Sequence, residues 1–461
     1  MSKPIKLAIL GLGTVGTGVI NLINDNLAEL KRRSGRDILI TEVGTRRQRD
    51  DIDPTIMQNS DLMAIAASDN VDIVIEVIGG TTLAKDIIIH AIKHGKHVVT
   101  ANKALLAEHG NEIFALAEVH NVHVAYEAAV AGGIPIIKVM REALAANKVN
   151  WLAGIINGTG NFIMSEMRGT GRPFTDVLAE AQALGYAEAD PTFDVEGIDA
   201  AHKLALLASI AFGMPLQFDK VYCEGITEIT LQDVNYAEQL GYRIKHVGFA
   251  VRRTNAEGED AIELRVHPTL IPQDTLLANV NGVKNAVLVN SHPLGQTLYY
   301  GDGAGAGATA SAVMADVMDL VRVLGCERSD NDTPAATSST PLDTDNKKGQ
   351  IGHHVPHLSF MPEHLSNIPI LRAEQMITGY YLRVHAYDNP GVLADITRIL
   401  SDAGINIDAI LQKPAHKVGQ VPVIILTLPV VESQMNLAIE KIQNLTAVTD
   451  KVVRIRLDEL A

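Results

Sequence analysis

The sequence has little cysteine, little positive charge and no long apolar run, and each shortage excludes a class of protein. Cys223 and Cys326 are the 2 cysteines among 461 residues, and neither lies in a CxxC pair, so we expect no disulfide framework and no zinc site. The formal net charge of -15 argues against nucleic acid or an anionic membrane as the main partner.

The sequence also predicts no membrane segment and no signal peptide. Its longest apolar run, VPVIILTLPVV from Val421, is much shorter than the roughly 20 residues that a membrane helix needs. The N-terminus, MSKPIKLAILGLG, leads directly into a strand and lacks an apolar segment followed by a cleavage site. With 47% apolar residues the chain can bury a large core, so we expect a folded, soluble and cytoplasmic protein.

The pattern along the chain predicts about three domains, in keeping with roughly 150 residues for each. In residues 1–133 the strands IKLAIL, DILITEV, VDIVIEVIG, HVVTAN and VHVAYE alternate with helical segments. Such alternation predicts an α/β fold, a doubly wound Rossmann sheet covered by helices on both faces. We expect the helix after the glycine-rich loop, within about 301–326, to pack back on this domain.

The rest of the chain predicts an α+β domain, a linker and a small C-terminal domain. Residues 134–300 mix predicted helices at 197–212 and 231–247 with strands such as AIELRVHPTLI and AVLVNS. Residues 327–378 begin with a stretch rich in Ser, Thr, Asp and Pro, which is typical of a linker. Residues 379–461 show the order strand, helix, strand, strand, helix, strand, which predicts a ferredoxin-like fold.

A glycine motif, Gly11-Leu-Gly13-Thr14-Val15-Gly16, follows the strand IKLAIL and opens a helix. In that setting it is typical of a dinucleotide site. Gly11 permits the tight turn, Gly13 lets the pyrophosphate approach the backbone, and Gly16 lets the helix pack on the sheet. The alternative is a tight strand-to-helix turn without a ligand.

The ends of later strands carry further candidates for cofactor binding. NAD-preferring sites usually have an acid after the second strand, whereas here Arg46 and Arg47 stand there. Arginine suits the 2′-phosphate, so we expect NADP(H) to be preferred and NAD(H) to be the second choice; a solvated basic turn is the alternative. Gly80, Thr100 and Lys103 also follow strands, at the edge where open sheets bind ligands, although Lys103 also fits a plain helix start.

The stretch LGYAEADPTFDVEGIDAAHK, residues 184–203, concentrates negative charge before a single lysine. Its five carboxylates belong to Glu188, Asp190, Asp194, Glu196 and Asp199. Because Asp199 and Lys203 are four apart in a predicted helix, they share one face. The apolar helix beyond Lys203 favours a buried lysine that passes a proton to an alkoxide, and a surface ion pair is the alternative. The spacing fits no EF-hand calcium loop, and the acids favour a ligand with an ammonium group. His202 is interpreted as structural.

These residues resemble a known enzyme family. GYAEADPTFDVEGIDAAHK is similar to the signature of homoserine dehydrogenases, and NGTGNFI at 157–163, TANK at 100–103 and GLGTVG resemble further motifs of that family. The resemblance runs in order over about residues 5–325. It implies NAD(P)H-dependent, reversible reduction of L-aspartate 4-semialdehyde to L-homoserine, in the biosynthesis of threonine, methionine and isoleucine.

The resemblance also implies roles for single residues. Lys203 would be the acid/base with Asp199 beside it, and Lys103 would lie at the reacting centre. The residues implied in substrate binding are Glu188, Asp194, Asp199, Gly158 and Thr159, and those implied in cofactor binding include Gly185 and Gly303. The family also binds a monovalent cation, usually sodium, through backbone oxygens, which implies Glu127, Val130, Gly132 and Ile134.

The C-terminal segment DNPGVLADITRILSDAGINI resembles an ACT domain, a module that pairs between chains and binds amino acids. The implied regulatory effector is L-threonine, and the residues implied in binding it are Asp388, Asn389, Gly391 and Asn406. A domain that only dimerises is the alternative. Domains that pair with themselves imply a homodimer or homotetramer.

Three rival functions fit the sequence less well. An ACT-bearing 2-hydroxy-acid dehydrogenase would place its glycine motif in mid-chain, whereas here the motif begins at Gly11. An aspartate-semialdehyde dehydrogenase needs a nucleophilic cysteine, and neither cysteine lies in a catalytic-looking loop. An amino-acid sensor that kept a nucleotide-binding fold would have no use for Lys103, Asp199 and Lys203.

Overall fold

The computed structural model describes residues 3–255, 257–327, 355–412 and 419–460. Its strands, in chain order, are β1 (Ile5–Leu10), β2 (Ile38–Gly44), β3 (Met57–Asn59), β4 (Ile73–Glu76), β5 (His97–Thr100), β6 (Val124–Ala125), β7 (Lys148–Ile155), β8 (Tyr222–Cys223), β9 (Tyr242–Thr254), β10 (Asp260–Pro272), β11 (Lys284–His292), β12 (Gly295–Asp302), β13 (Ile377–Tyr387), β14 (Ile407–Gln412), β15 (Gln420–Val431) and β16 (Val453–Leu457). Its α-helices are α1 (Thr14–Ser34), α2 (Leu62–Ala66), α3 (Thr82–Lys93), α4 (Lys103–Val119), α5 (Ile136–Lys138), α6 (Gly158–Thr170), α7 (Phe174–Ala183), α8 (Thr192–Val195), α9 (Ile198–Phe212), α10 (Leu231–Gln239), α11 (Ala306–Glu327), α12 (Val392–Asp402) and α13 (Glu432–Gln443).

The described residues divide into two units. The first comes from Met1–Ala146, Leu206–Leu216 and Asp302–Ser366, and the second from Asn147–Ala205, Gln217–Gly301 and Asn367–Ala461.

The first unit is built on a six-stranded sheet with the order β3-β2-β1-β4-β5-β6, in which every neighbouring pair is parallel. All residues of β4 and β5 are buried, as expected of strands that helices cover on both faces. The strand order reverses beside β1, which confirms the predicted doubly wound Rossmann arrangement. α11 packs on α1, since Val317 and Val321 share an apolar core with Val19 and Ile23.

The second unit is built on a mostly antiparallel sheet with the order β12-β11-β7-β9-β10-β16-β13-β15-β14, and β8 pairs with β10 outside that path. Its C-terminal part has the predicted order β13-α12-β14-β15-α13-β16 and an apolar core of its own, which confirms the ferredoxin-like fold. β16 runs parallel to β10, with Leu457 opposite Leu270. One continuous sheet therefore runs through the whole unit.

The predicted helix at 231–247 is wrong in its second half. α10 ends at Gln239, Gly241 adopts a left-handed φ of 85°, and β9 begins at Tyr242. β9 pairs with β10 over its full length, from Tyr242 opposite Pro272 to Thr254 opposite Asp260. Pairing with a distant strand therefore outweighs the local helical pattern.

The predicted linker at 327–378 contains packed residues in its described part; residues 328–354 lie outside the described residues. In the first unit, His357 and Leu358 are buried, and Arg141 donates hydrogen bonds to the carbonyls of Val355 and Pro356. In the second unit, the amide of Ile262 donates to the carbonyl of Pro369. These parts of the segment thus belong to the two cores rather than to a free linker.

Candidate active site

The glycine motif forms the turn between β1 and α1 in the first unit. Gly11 has a φ of 102°, and a Cβ there would lie 2.8 Å from the carbonyl oxygen of Val77. A Cβ on Gly16 would overlap the carbonyl of Gly11, whereas a Cβ on Gly13 would meet no described residue within 4 Å beyond its own chain neighbours. The loop is thus closed on the protein side and open at the start of α1. Thr14 and Val15 begin that helix, whose amides favour an anion.

The basic turn after β2 places one unpredicted arginine on this loop. Arg46 and Arg47 are exposed, while the Nη1 of Arg49 donates to the carbonyl of Leu12 at 2.9 Å. Asp51 accepts from the Nε of Arg49 at 2.9 Å and holds the guanidinium in place. Sequence reasoning stopped at the first two arginines of RRQR, although the signal, a further arginine two residues on, was present.

The ends of β4 and β5 are joined by a buried carboxylate. Glu76 accepts hydrogen bonds from the amides of Ile78 and Gly79, at 2.9 and 3.2 Å, and from the Thr100 hydroxyl at 2.6 Å. The side chain of Asn102 donates to the carbonyl of Gly80 at 2.7 Å. The structure therefore brings Gly80 and Thr100 together at the carboxyl edge of the sheet. Lys103 follows as the first residue of α4, for which Asn102 is the N-cap.

Asp199 and Lys203 form a buried ion pair in the second unit. Lys203 Nζ lies 2.6 Å from Asp199 Oδ2, and it also donates to the carbonyl of Ile156 at 2.7 Å. The two residues are only 4% and 9% exposed. The alternative that the sequence left open, a surface ion pair, is therefore wrong. Because two oxygen atoms hold Nζ in one position, this lysine is oriented to transfer a proton to a single site.

Asn157 joins this pair to a second carboxylate. Its Nδ2 donates to Asp194 Oδ1 at 2.7 Å and to Asp199 Oδ2 at 2.9 Å, and its Oδ1 accepts from the amide of Gly160 at 2.6 Å. Burial raises the pKa of Asp194, and the hydrogen bond from Asn157 opposes that rise. Asn157 stands first in NGTGNFI, yet sequence reasoning passed over it for Gly158 and Thr159.

The five carboxylates do not converge as the sequence suggested. Asp194 and Asp199 meet at Asn157, but Asp190 accepts from the amide and hydroxyl of Thr192, and Glu196 accepts from the hydroxyl of Thr227 at 3.2 Å. Asp190 thus stabilises a local turn, and Glu196 contacts a residue 31 positions further along the chain.

Several other predicted residues lie in the same unit as the ion pair. Gly158 opens α6, and the hydroxyl of Thr159 donates to the carbonyl of Tyr186 at 2.6 Å. Gly185 adopts a left-handed φ of 75° at the start of the loop that carries exposed Glu188. The buried ring of His202 packs between those of Phe193 and Phe218, as expected of a structural histidine.

The predicted cation loop in the first unit is tightly folded. Gly132 has a φ of 55°, and a Cβ there would overlap the backbone of Gly303, so this loop and the start of the glycine-rich segment touch. The carboxylate of Glu127 accepts from the amides of Ile137 and Lys138, both at 2.8 Å. Burial raises the pKa of Glu127 to about 7. Val130 and Ile134 are buried beside it.

A cleft of about 440 Å³ lies in the C-terminal part of the second unit. Its lining includes Asp388, Asn389 and Gly391, together with Gln412 at the end of β14, which sequence reasoning missed. Asn406, predicted with them, is exposed just before β14. In the described chain we find no helix that is long and apolar enough to cross a membrane. Nor do three or more histidine, cysteine or acidic side chains of those residues gather as a metal site would require.

The chain is similar to known proteins over its whole length. Family models described as "Homoserine dehydrogenase, NAD binding domain", "Homoserine dehydrogenase" and "ACT domain" match residues 11–127, 135–318 and 380–446. The homoserine dehydrogenase of Pseudomonas aeruginosa is 56% identical over 99% of this chain and 100% of its own length, and that of Neisseria gonorrhoeae is 48% identical over 99% of each. The crystal structure of a homoserine dehydrogenase from Thiobacillus denitrificans matches with a TM-score of 0.89 and 51% identity, over 100% of this chain and 99% of that one.

Proposed function

The chain belongs to the homoserine dehydrogenase family, and from that premise we propose its reaction, the residues that carry it and its regulation. It is an NAD(P)-dependent oxidoreductase acting on a CH–OH group. We propose that it interconverts L-aspartate 4-semialdehyde and L-homoserine in the biosynthesis of threonine, methionine and isoleucine, in the cytoplasm. The observation that supports this reaction is the buried Asp199–Lys203 pair, in which Nζ is held 2.6 Å from Oδ2.

In the proposed mechanism Lys203 is the acid/base. The nicotinamide cofactor supplies the hydride when it is bound. Lys203 donates a proton from Nζ to the oxygen of the aldehyde as that oxygen becomes an alkoxide, and in the reverse direction Nζ takes the proton of the hydroxyl. Asp199 and the carbonyl of Ile156 keep Nζ in one direction throughout. Lys103 is proposed to contact the reacting centre.

The remaining acids of this site are proposed to select the substrate. Asp194 and exposed Glu188 bind its ammonium group, because carboxylates pair with cations. Gly158 and Thr159, at the start of α6, are proposed as further contacts.

For the cofactor, the open face of Gly13 and the start of α1 fit a pyrophosphate. We propose that NADP(H) is preferred, with Arg46 and Arg47 at the 2′-phosphate and Gly80, Thr100, Gly185 and Gly303 as further contacts. We also propose a monovalent cation, sodium, on the backbone oxygens of Glu127, Val130, Gly132 and Ile134.

The direct test is turnover of L-homoserine by the purified protein with NADP⁺ and with NAD⁺. We expect activity with both cofactors and a higher kcat/KM with NADP⁺. We expect Arg46→Ala to lower the ratio of kcat/KM with NADP⁺ to kcat/KM with NAD⁺. Turnover with neither cofactor would refute the reaction and favour an amino-acid sensor. Equal kcat/KM values would refute the assignment of the arginines while leaving the reaction intact.

Regulation is proposed to act through the C-terminal part. The cleft lined by Asp388, Asn389 and Gly391 has polar side chains and room for an amino acid, which supports L-threonine as the effector. Asn406, which precedes the opposite end of β14 from Gln412, is proposed as a further contact. Threonine should change the rate of the wild type, and Asp388→Ala should abolish that effect without changing the rate measured in its absence. A threonine response unchanged by Asp388→Ala would place the effector elsewhere. We also propose a homodimer or homotetramer, and a molar mass from light scattering distinguishes the two. The predicted limits 1–133, 134–300 and 379–461 are proposed to hold, without a free linker before the last.

A further inference from the structure

Asn157 occupies the junction between β7 and α6, next to the two residues of α9 that form the ion pair. It follows β7 and is the N-cap of α6, in an extended conformation with φ -121° and ψ 114°. It is 6% exposed. The residue before it, Ile156, supplies the carbonyl that accepts from Lys203 Nζ. Two neighbouring residues therefore hold both partners of the ion pair.

The side chain of Asn157 faces two ways. Its oxygen accepts from the amide of Gly160, which satisfies the first turn of α6. Its nitrogen carries two N–H groups, and Asp194 Oδ1 and Asp199 Oδ2 lie 2.7 and 2.9 Å from it. A neutral primary amide can accept at one atom and donate twice at the other.

We infer that Asn157 is a positioning residue of the proposed dehydrogenase: it holds two acids apart, so that Asp199 stays on Lys203 and Asp194 stays available to the substrate. The inference rests on the proposed function. Without the amide, two buried carboxylates would lie close together with less hydrogen bonding. Like charges at short range disfavour ionisation of both.

The electrostatics of Asp194 agree with that role. Burial is the main cause that raises its pKa, and Asp199 raises it further. The hydrogen bond from Asn157 and the charge of Lys203 lower it. The charged groups that face Asp194 thus stand on α9, one of each sign, while its amide donor, Asn157, is the N-cap of α6. Loss of Asn157 removes a donor and leaves the opposing charges in place.

Two substitutions separate this role from helix capping. Serine and aspartate cap helices about as well as asparagine, so Asn157→Ser and Asn157→Asp both keep the acceptor for Gly160. Neither has the donating amide at neutral pH, and Asn157→Asp adds a third negative charge between Asp194 and Asp199. If Asn157 only caps α6, Asn157→Asp, the closer match in shape, is the milder change. If it positions the acids, Asn157→Asp is the more damaging.

We expect kcat for L-homoserine to fall about 10-fold in Asn157→Ser and about 100-fold in Asn157→Asp, because small misplacements of catalytic groups cost that much. The affinity for NADP⁺, titrated by fluorescence, should not change. In the reduction of L-aspartate 4-semialdehyde with NADPH, where Lys203 starts protonated, the acidic limb of the pH profile of kcat/KM should move to higher pH in Asn157→Ser, because Asp194 loses a donor that lowers its pKa.

The matched control is Asp61→Ala, which removes the N-cap of α2 in the first unit. It should lower the melting temperature and leave the pH profile in place. The inference is overturned if Asn157→Asp is at least as active as Asn157→Ser, or if the acidic limb does not move. It is also overturned if each variant loses activity only in proportion to its unfolded fraction in a thermal melt. Wild-type turnover is measured first, so a failure of the proposed function appears there, before any variant is compared.

Discussion

Two buried ion pairs in the second unit are built in opposite ways. Asp199 and Lys203 are four residues apart on one helix and meet at 2.6 Å through a single ammonium group. Arg383 and Asp233 are 150 residues apart, and the guanidinium donates to both carboxylate oxygens, at 2.7 and 3.0 Å. An ammonium is a point charge whose protonation can change when it is buried, whereas a guanidinium stays charged. The first pair suits proton transfer, and the second suits a permanent contact.

The permanent contact is one of a set of buried polar contacts, here called the network, that the C-terminal strands β13 and β16 make. The hydroxyl of Tyr381 donates to Asp233 at 3.0 Å, and Asp233 closes a capping box with Thr230 at the start of α10. Arg456, which is fully buried, donates to Glu432 at 2.6 Å and to Glu224 at 2.6 Å. Arginine is used wherever this network needs a cation, and lysine is found at the proposed site of chemistry.

Exchange of the cation at the proposed site should have the largest effect. Lys203→Arg keeps the charge beside Asp199 but replaces a group that releases protons with one that does not. We expect kcat to fall about 1,000-fold, the range of general acid–base catalysis, with NADP⁺ affinity and melting temperature near those of the wild type. A variant within tenfold of wild-type kcat would show that Lys203 only neutralises Asp199.

Removal of the structural cation should affect stability instead. Arg383→Met leaves the fully buried carboxylate of Asp233 without its guanidinium, and we expect the free energy of unfolding to fall by about 3–5 kcal/mol. Arg383→Lys should lose less, because the charge stays and only the two-point contact is lost. Urea unfolding measures both, and kcat per folded molecule should stay within twofold. A large fall in kcat with little loss of stability in Arg383→Met would show that this pair is not purely structural.

Lys245 extends the comparison, because it is a buried lysine outside the proposed site, and its hydrogen bonds stabilise the fold. Its Nζ donates to Asn161 at 3.1 Å, and burial lowers its pKa from 10.5 to about 7, with Arg168 and Arg243 adding to the effect. Between pH 7 and 10 the unfolded chain binds a proton that the folded chain lacks, so stability should rise with pH. The rise should be on the order of 2–4 kcal/mol and should be absent in Lys245→Met. Equal pH slopes in the two proteins would contradict this.

The smallest effect is expected at an exposed pair beside the same network. Lys451 and Glu228 meet at 3.4 Å, and each side chain is 79% exposed. Water and salt screen such pairs, so Lys451→Met should change the free energy of unfolding by less than about 0.5 kcal/mol. A loss comparable to that of Arg383→Met would mean that burial does not separate strong contacts from weak ones here.

Local sequence patterns predicted much of this fold. The turn at Gly11 and the helix from Thr14 follow from a motif whose parts are adjacent in the chain. The pairing of Asp199 with Lys203 follows from helical spacing, because both lie within one turn of α9. The order of strands and helices in the C-terminal part also followed from local sequence patterns.

Contacts between distant segments were not predictable in the same way. Nothing local to Asp233 indicates Arg383, and the strand at Tyr242 forms against β10 after a run that had predicted more helix. Asn157 lies 37 residues from Asp194 and 42 from Asp199, so its two hydrogen bonds appear only once β7 and α9 are packed. The dispersal of Asp190 and Glu196 to nearby donors follows from loop geometry that composition does not encode.

The parallel pairing of β16 with β10 has a consequence for attempts to remove the C-terminal part. Cutting the chain before β13 would strip β10 of a neighbour and leave open backbone donors and acceptors along Thr269 and Leu270. Unpaired edges of this kind recruit strands from other molecules. A shortened enzyme is therefore expected to aggregate unless the last strand is kept or replaced, so the proposed role of the cleft is better tested by point changes than by truncation.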